Sequence, residues 1–192
     1  MSDLEQTLIG LAAKLKEGEV AYMIIGGIAN AVWGEPRATL DIDVTIRVPV
    51  SQVPRIVSLL GDLCSPLISD PADFVKKTSV LPMQARGGVR IDLIFGSLPF
   101  EKEAIERAVD VEIHGTPVRF ARPEDLIITK IVSERQRDAD DVRAILSRQG
   151  SRLDFDYLDP RIKELSRLLE RPEIWRFWQK WKNESLDHPP RR

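Results

Sequence analysis

Ile25-Gly26-Gly27 and, after a gap of thirteen residues, Asp41-Ile42-Asp43-Val44 decide the reading of this chain of 192 residues. Leu40, Ile42, Val44 and Ile46 alternate with Asp41, Asp43 and Thr45. Such alternation predicts a half-buried strand whose polar face carries both aspartates. Side chains two apart on a strand share a face at about 6.5–7 Å. Two carboxylates at that spacing can flank a pair of cations ~3.5–4 Å apart, the arrangement of two-metal phosphoryl-transfer enzymes. Oxygen-only ligands suit Mg²⁺, which shares its shell with water and substrate phosphates. A third acid, Asp92, lies in the equally apolar run Arg90-Ile91-Asp92-Leu93-Ile94. Carboxylates in such runs are costly unless something neutralises them. Asp92 could hold a second ion or accept the proton of an attacking hydroxyl.

The glycines have a separate part. Tyr22–Ile25 reads as a buried strand, Gly26-Gly27 follows directly, and Ile28–Trp33 has the spacing of a short helix. Glycine between strand and helix lets the backbone approach a phosphate, and the helix N-terminus adds free N–H groups and partial positive charge. The P-loop lysine and serine are missing, so the glycine pair alone is a weak signal. Asp-x-Asp alone is likewise more often a turn or an exposed strand edge. Together the two motifs point to one phosphoryl-transfer site.

These residues resemble the nucleotidyltransferase superfamily, whose motif is a small glycine pair ahead of Asp-hydrophobic-Asp, with a distant third acid. The fuller string, from Gly26-Gly27-Ile28-Ala29 through Gly34-Glu35-Pro36-Arg37-Ala38-Thr39-Leu40 to Asp41-Ile42-Asp43, is similar to the AbiEii/AbiGii toxin-type branch. Pro123-Glu124-Asp125-Leu126-Ile127, Lys130, Arg135, Asp138 and Asp141-Val142 extend the likeness, which spans roughly residues 20 to 146. The resemblance implies an α/β nucleotidyltransferase fold, a small mixed sheet flanked by helices, with a helical C-terminal appendage. It implies Mg²⁺-dependent transfer of an NMP from an NTP to an acceptor hydroxyl, on RNA such as tRNA or on protein, with a small molecule such as an antibiotic as a further acceptor class. Asp41, Asp43 and Asp92 would be the catalytic and metal residues for two Mg²⁺ ions, with Mn²⁺ as a substitute. Gly26 and Gly27 would hold the triphosphate, with Arg37 and Lys130 as nucleotide-binding cations. A toxin–antitoxin or abortive-infection role, with an antitoxin-type protein partner, is implied by the branch. The same fold could instead serve a non-catalytic nucleotide-binding regulator.

Structural alternatives stand beside two of these assignments. Arg37 could simply solvate the loop after Pro36. Lys130 sits in an apolar helical run, where a lysine commonly lays its stem along the core. Asp138 could be a helix N-cap.

Composition sets the outer bounds. Charged residues make up 30% and apolar residues 43%, as in ordinary globular proteins. The length suits one domain, or one with a small appendage, expected here as residues 1–150 and 151–192 with a short disordered tail. Cys64 is the lone cysteine, so no disulfide can form within the chain and a cytoplasmic setting is expected. No signal-peptide pattern opens the chain, and no apolar run is long enough to span a bilayer. His114 and His188 are too few for a zinc site. No serine sits in a nucleophile elbow. Residues 1–142 carry 16 Lys+Arg against 22 Asp+Glu, whereas residues 143–192 carry 12 against 8. That basic segment could approach an RNA acceptor.

Periodicity predicts a helix over Asp3–Glu17, a strand over Leu40–Val48 and a helix over Val50–Leu63. Paired strands are expected at Ser79–Gln84 and Val89–Phe95, a helix at Glu101–Val109, and a hairpin around Gly115. Helices should follow from Pro123. Trp175, Trp178 and Trp181 are expected to pack a final helix, or to offer a stacking platform for a nucleobase.

Overall fold

The computed structural model describes residues 1–187. The tail over 188–192, expected to be disordered, lies outside the described residues, as does His188. The chain divides into two compact units, Met1–Ile28 with Ala38–Arg122, and Ala29–Arg37 with the chain from Pro123 onward.

The first unit is a mixed sheet with helices. Helix α1 (Asp3–Glu17) starts on a capping box. The Glu5 N–H donates to the Ser2 hydroxyl at 3.3 Å, and the Ser2 N–H donates to the Glu5 carboxylate at 2.7 Å. Leu8, Leu11 and Leu15 form its buried stripe. Strand β1 (Tyr22–Ile25) leads into α2 (Gly26–Trp33), and β2 (Asp41–Ile46) follows. After a single 3₁₀ turn at Val50–Gln52 come α3 (Val53–Leu60), β3 (Cys64–Pro66), α4 (Pro71–Thr78), β4 (Val80–Ala85) and β5 (Arg90–Phe95). Helix α5 (Pro99–Arg107) and the hairpin β6 (Val109–Ile113) and β7 (Thr116–Phe120) complete the unit.

The seven strands run in the order β3-β4-β5-β2-β1-β7-β6. The β2–β5 and β1–β7 pairs are parallel and the others antiparallel. Ile42, Val44, Ile46, Ile91, Leu93 and Ile24 fill one face and are fully buried. Helix α1 packs along β2 and β7 and against α3, which meets α4. Met23 and Ile25 face the other way, into a cluster with Ala104, Ile105 and Ala108 of the α5 region. Burial pushes the Cys64 thiol up to about 11, so it stays a protonated core group.

The second unit holds α6 (Pro123–Ile131), α7 (Gln136–Gln149), α8 (Phe155–Leu168) and α9 (Pro172–Asp187). Its core includes Ile127, Val142, Ile145, Leu158, Ile162, Ile174 and Trp178. The Trp178 indole N–H donates to Asp159 at 2.8 Å, so the ring is buried with its polar group satisfied. Trp175 and Trp181 are only partly covered. Steps of three residues drift around a helix by about 60° each, so three such tryptophans cannot all face one core. Leu168, the last residue of α8, is exposed. Among the described residues no helix is long and apolar enough to cross a membrane.

Candidate active site

Strand pairing places the acids. Asp43 lies opposite Asp92 and Asp41 opposite Arg90 in the parallel β2–β5 register. Neighbouring strands run ~4.8 Å apart and directly paired residues share a face. Asp41, Asp43 and Asp92 therefore emerge on one face of the sheet, all partly accessible. The alternate residues Ile42, Val44, Ile91 and Leu93 hold both strands to the core at zero exposure. A shift of one residue would exchange the two faces, so the apolar residues fix the acids in place.

Gly26 is bound to this geometry. Ile25 pairs with Asp43 across β1 and β2, so the chain leaves the sheet beside that aspartate. Gly26 adopts φ +68°, and a Cβ there would lie 1.9 Å from Asp43 Oδ2. Only glycine lets the strand-to-helix turn pass so close to the carboxylate. Gly27 follows as the second residue of α2 and is buried.

Two further side chains hold the acids. The Thr39 hydroxyl donates to Asp41 Oδ1 at 2.7 Å. The Arg90 guanidinium grips Asp92, with Nε 3.1 and 3.2 Å from its two oxygens. The hydrogen bond and charge of Asp92 raise the Arg90 pKa above its ordinary value, with lesser contributions from Asp41 and Asp43. Arg90 thus sits in the field of all three acids as an exposed counter-charge. Arg90 has no role in the sequence reading, although its position two residues before Asp92 on a strand was the signal that could have found it. Among the described residues, no three His, Cys, Asp or Glu side chains are already gathered closely enough to hold a metal. The donor chemistry nonetheless fits Mg²⁺: three carboxylates on one face, all hard oxygen ligands.

Arg37 and Lys130 belong to the second unit. Arg37 pairs bidentately with Asp141, with Nε and Nη2 each 3.0 Å from a carboxylate oxygen. Lys130 Nζ lies 2.7 Å from Asp141 and 3.1 Å from Asp138. Asp138 also accepts from Ser133 at 2.7 Å and Arg135 at 2.6 Å. It stands within the first turn of α7, where Arg135 is the N-cap. The two carboxylates are only 2% and 4% exposed. Burial pushes both pKa values up. Hydrogen bonds and charges from Ser133, Lys130, Arg135 and Arg37 outweigh that and hold them below the ordinary range. Both cations named from the sequence are thus engaged in a buried ionic network of the helical unit.

The chain matches, over residues 4–185, the family described as "Nucleotidyltransferase of unknown function (DUF6036)". No curated protein matches it. An antigenic nucleotidyltransferase-like protein from Paracoccidioides brasiliensis is similar in structure, with a TM-score of 0.59 and 17% identity, covering 99% of this chain and 94% of that one. The antibiotic-resistance factor ANT(2'')-Ia gives 0.59 and 16%, covering 90% and 98%. The lincosamide antibiotic adenylyltransferase LnuA, in its lincomycin-bound structure, gives 0.54 and 13%, covering 74% and 96%. At these identities the likeness is one of fold.

Proposed function

The chain belongs to that nucleotidyltransferase family, and on this premise we propose that it moves an NMP from an NTP to an acceptor hydroxyl at Asp41, Asp43 and Asp92. The observation that carries the reading is the register pairing of Asp43 with Asp92, with Asp41 beside them and Gly26 turning within reach of Asp43. Asp41 and Asp43 would hold Mg²⁺, with Asp92 completing a second site. A bound metal would supply charge neutralisation for the phosphates.

The chain's own residues account for the rest. The acceptor oxygen forms a bond to the α-phosphorus as the bond to the pyrophosphate oxygen breaks. The hydroxyl proton passes to a carboxylate, for which Asp92 is the candidate, and pyrophosphate leaves with the electron pair of the broken bond. The α2 N-terminus and the Gly26-Gly27 backbone offer N–H groups to triphosphate oxygens. Arg37 and Lys130 would act on the nucleotide only by exchanging part of their pairing with Asp138 and Asp141.

RNA, such as tRNA, and protein are the acceptor classes we favour, with a toxin–antitoxin or abortive-infection role as the biological reading. The AbiEii-type string from Gly26 to Asp43 supports that role by resemblance alone. The test is transfer from α-labelled ATP, CTP, GTP and UTP with Mg²⁺ to total RNA and to protein, with Asp41→Asn/Asp43→Asn as the blank. Label absent from the blank names donor and acceptor. No label on RNA or protein would remove both acceptor classes. An Asn/Asn protein that unfolds would make the acids structural.

A further inference from the structure

The helical unit contains a cavity of about 410 Å³ that the acid triad does not use. It is lined by the end of α6, the start of α7 and one face of α9. Its volume falls within the range of small-ligand pockets, roughly 300–1,000 Å³. Lys130, Arg135, Arg143, Arg171 and Lys180 line it, against Glu134 as the acid, with Lys130 committed to Asp138 and Asp141. Arg135 and Lys180 are 65% and 67% exposed in their side chains. The carboxylates that Arg143 and Lys180 meet, Asp140 and Glu184, are themselves exposed. Exposed ion pairs of this kind are worth little, about 0–1 kcal/mol, so an incoming phosphate can replace those partners. The N-terminus of α7 opens at the same place, with no side chain capping it.

The apolar part of the lining is aromatic. Phe177 and Trp181 stack with ring centroids 5.5 Å apart and planes at 9°. The Arg143 guanidinium carbon lies 5.4 Å from the Trp181 ring centroid. Arg143 and Phe177 thus both lie against the Trp181 ring, and Phe177 is 49% exposed. An exposed phenylalanine in a cationic cavity is unexplained by packing, since Ile174 and Trp178 already anchor α9. Flat aromatic surface beside guanidinium and ammonium groups is the chemistry that takes single-stranded nucleotides: the base stacks and the phosphate is neutralised.

We propose that this cavity binds a nucleoside phosphate, its base on Phe177 and its phosphate among Arg135, Arg143 and Lys180. It deepens the transfer reading, on which its biological meaning rests, by making single-stranded RNA the acceptor class. The same chemistry could come from a free nucleotide, which the test separates.

The probe is a short fluorescent single-stranded oligoribonucleotide, titrated with the full chain in EDTA and followed by anisotropy. Phe177→Ala and Lys180→Glu are each expected to weaken binding about tenfold, the scale of one lost base stack. Both positions are exposed, so thermal melts of the variants should match the wild type. The logarithm of the binding constant should fall with log salt at a slope of about −0.7, from the one phosphate that the three cations neutralise. Displacement by AMP, CMP, GMP or UMP at similar concentrations would assign the site to free nucleotides. Resistance to them would assign it to RNA. Equal binding by wild type and both variants, or none by the wild type to RNA or mononucleotide, overturns the proposal. RNA binding without transfer from any NTP would instead overturn the transfer reading and leave this site standing.

Discussion

Replacing Lys130 by methionine isolates the buried ionic network of the helical unit. The ammonium lies 2.7 Å from Asp141 and 3.1 Å from Asp138. Without it, two nearly inaccessible carboxylates keep one guanidinium each, Arg37 on Asp141 and Arg135 on Asp138. Removing one member of a buried pair typically costs 3–5 kcal/mol. The remaining guanidinium partners place this case near the lower end, about 3 kcal/mol. For a chain of this length that corresponds to a fall in Tm of roughly 6–12 °C. Asp138→Asn added to Lys130→Met should recover part of the loss, because one buried charge disappears and exposed Arg135 can turn to water. The assay is thermal and urea unfolding of wild type, single and double variants, with NTP binding measured calorimetrically alongside. A structural lysine lowers stability and leaves nucleotide affinity unchanged. A Tm within two degrees of wild type, coupled to weakened NTP binding, would refute the reasoning and return Lys130 to the nucleotide.

Gly26→Ala should displace Asp43, since the new Cβ falls 1.9 Å from Oδ2. We expect a stability loss of about 1–2 kcal/mol from the left-handed backbone, with weakened Mn²⁺ binding by calorimetry; unchanged metal affinity would separate Gly26 from the site. Arg90→Ala removes an exposed counter-charge from the acids, so Mn²⁺ should bind roughly fivefold more tightly, the scale of about 1 kcal/mol. Weaker binding would make Arg90 a positioning group for Asp92. Asp138 and Asp141 have folded pKa values below their unfolded ones. Their contribution is therefore present above the unfolded value of about 3.9 and lost as pH falls below it. Unfolding free energy measured from pH 6 downward should drop below about pH 4, and should do so less in Asp138→Asn.

Much of the first unit could be read from periodicity, because its strands alternate cleanly around Asp41 and Asp43. The helix Asp3–Glu17 was legible to the residue in the spacing of its leucines, while its capping pair emerged only in the structure. Segment 64–78 was not: a three-residue strand at Cys64–Pro66 shows no period, although Asp70 before Pro71 is a readable cap for α4. Helix α5 ends at Arg107 and Val109 already belongs to a strand, a boundary that apolar spacing alone does not mark. The three acids were visible as separate residues, but their convergence is a matter of register, which one sequence does not contain. Arg37 and Lys130 were legible as cations and not as partners of Asp141, since 104 and 11 positions separate them from it.

The pairing of Asp43 with Asp92 also ties competence to the order in which the chain comes together. The two strands are parallel neighbours, yet α3, β3, α4 and β4 lie between them in sequence. Such contacts close a long loop before any local gain rewards it, and here they bring like charges side by side. A chain synthesised only as far as β4 carries Asp41 and Asp43 and still lacks Asp92. The acids meet when β5 seats Ile91, Leu93 and Phe95 in the core, so the act that completes the sheet also creates the chemistry.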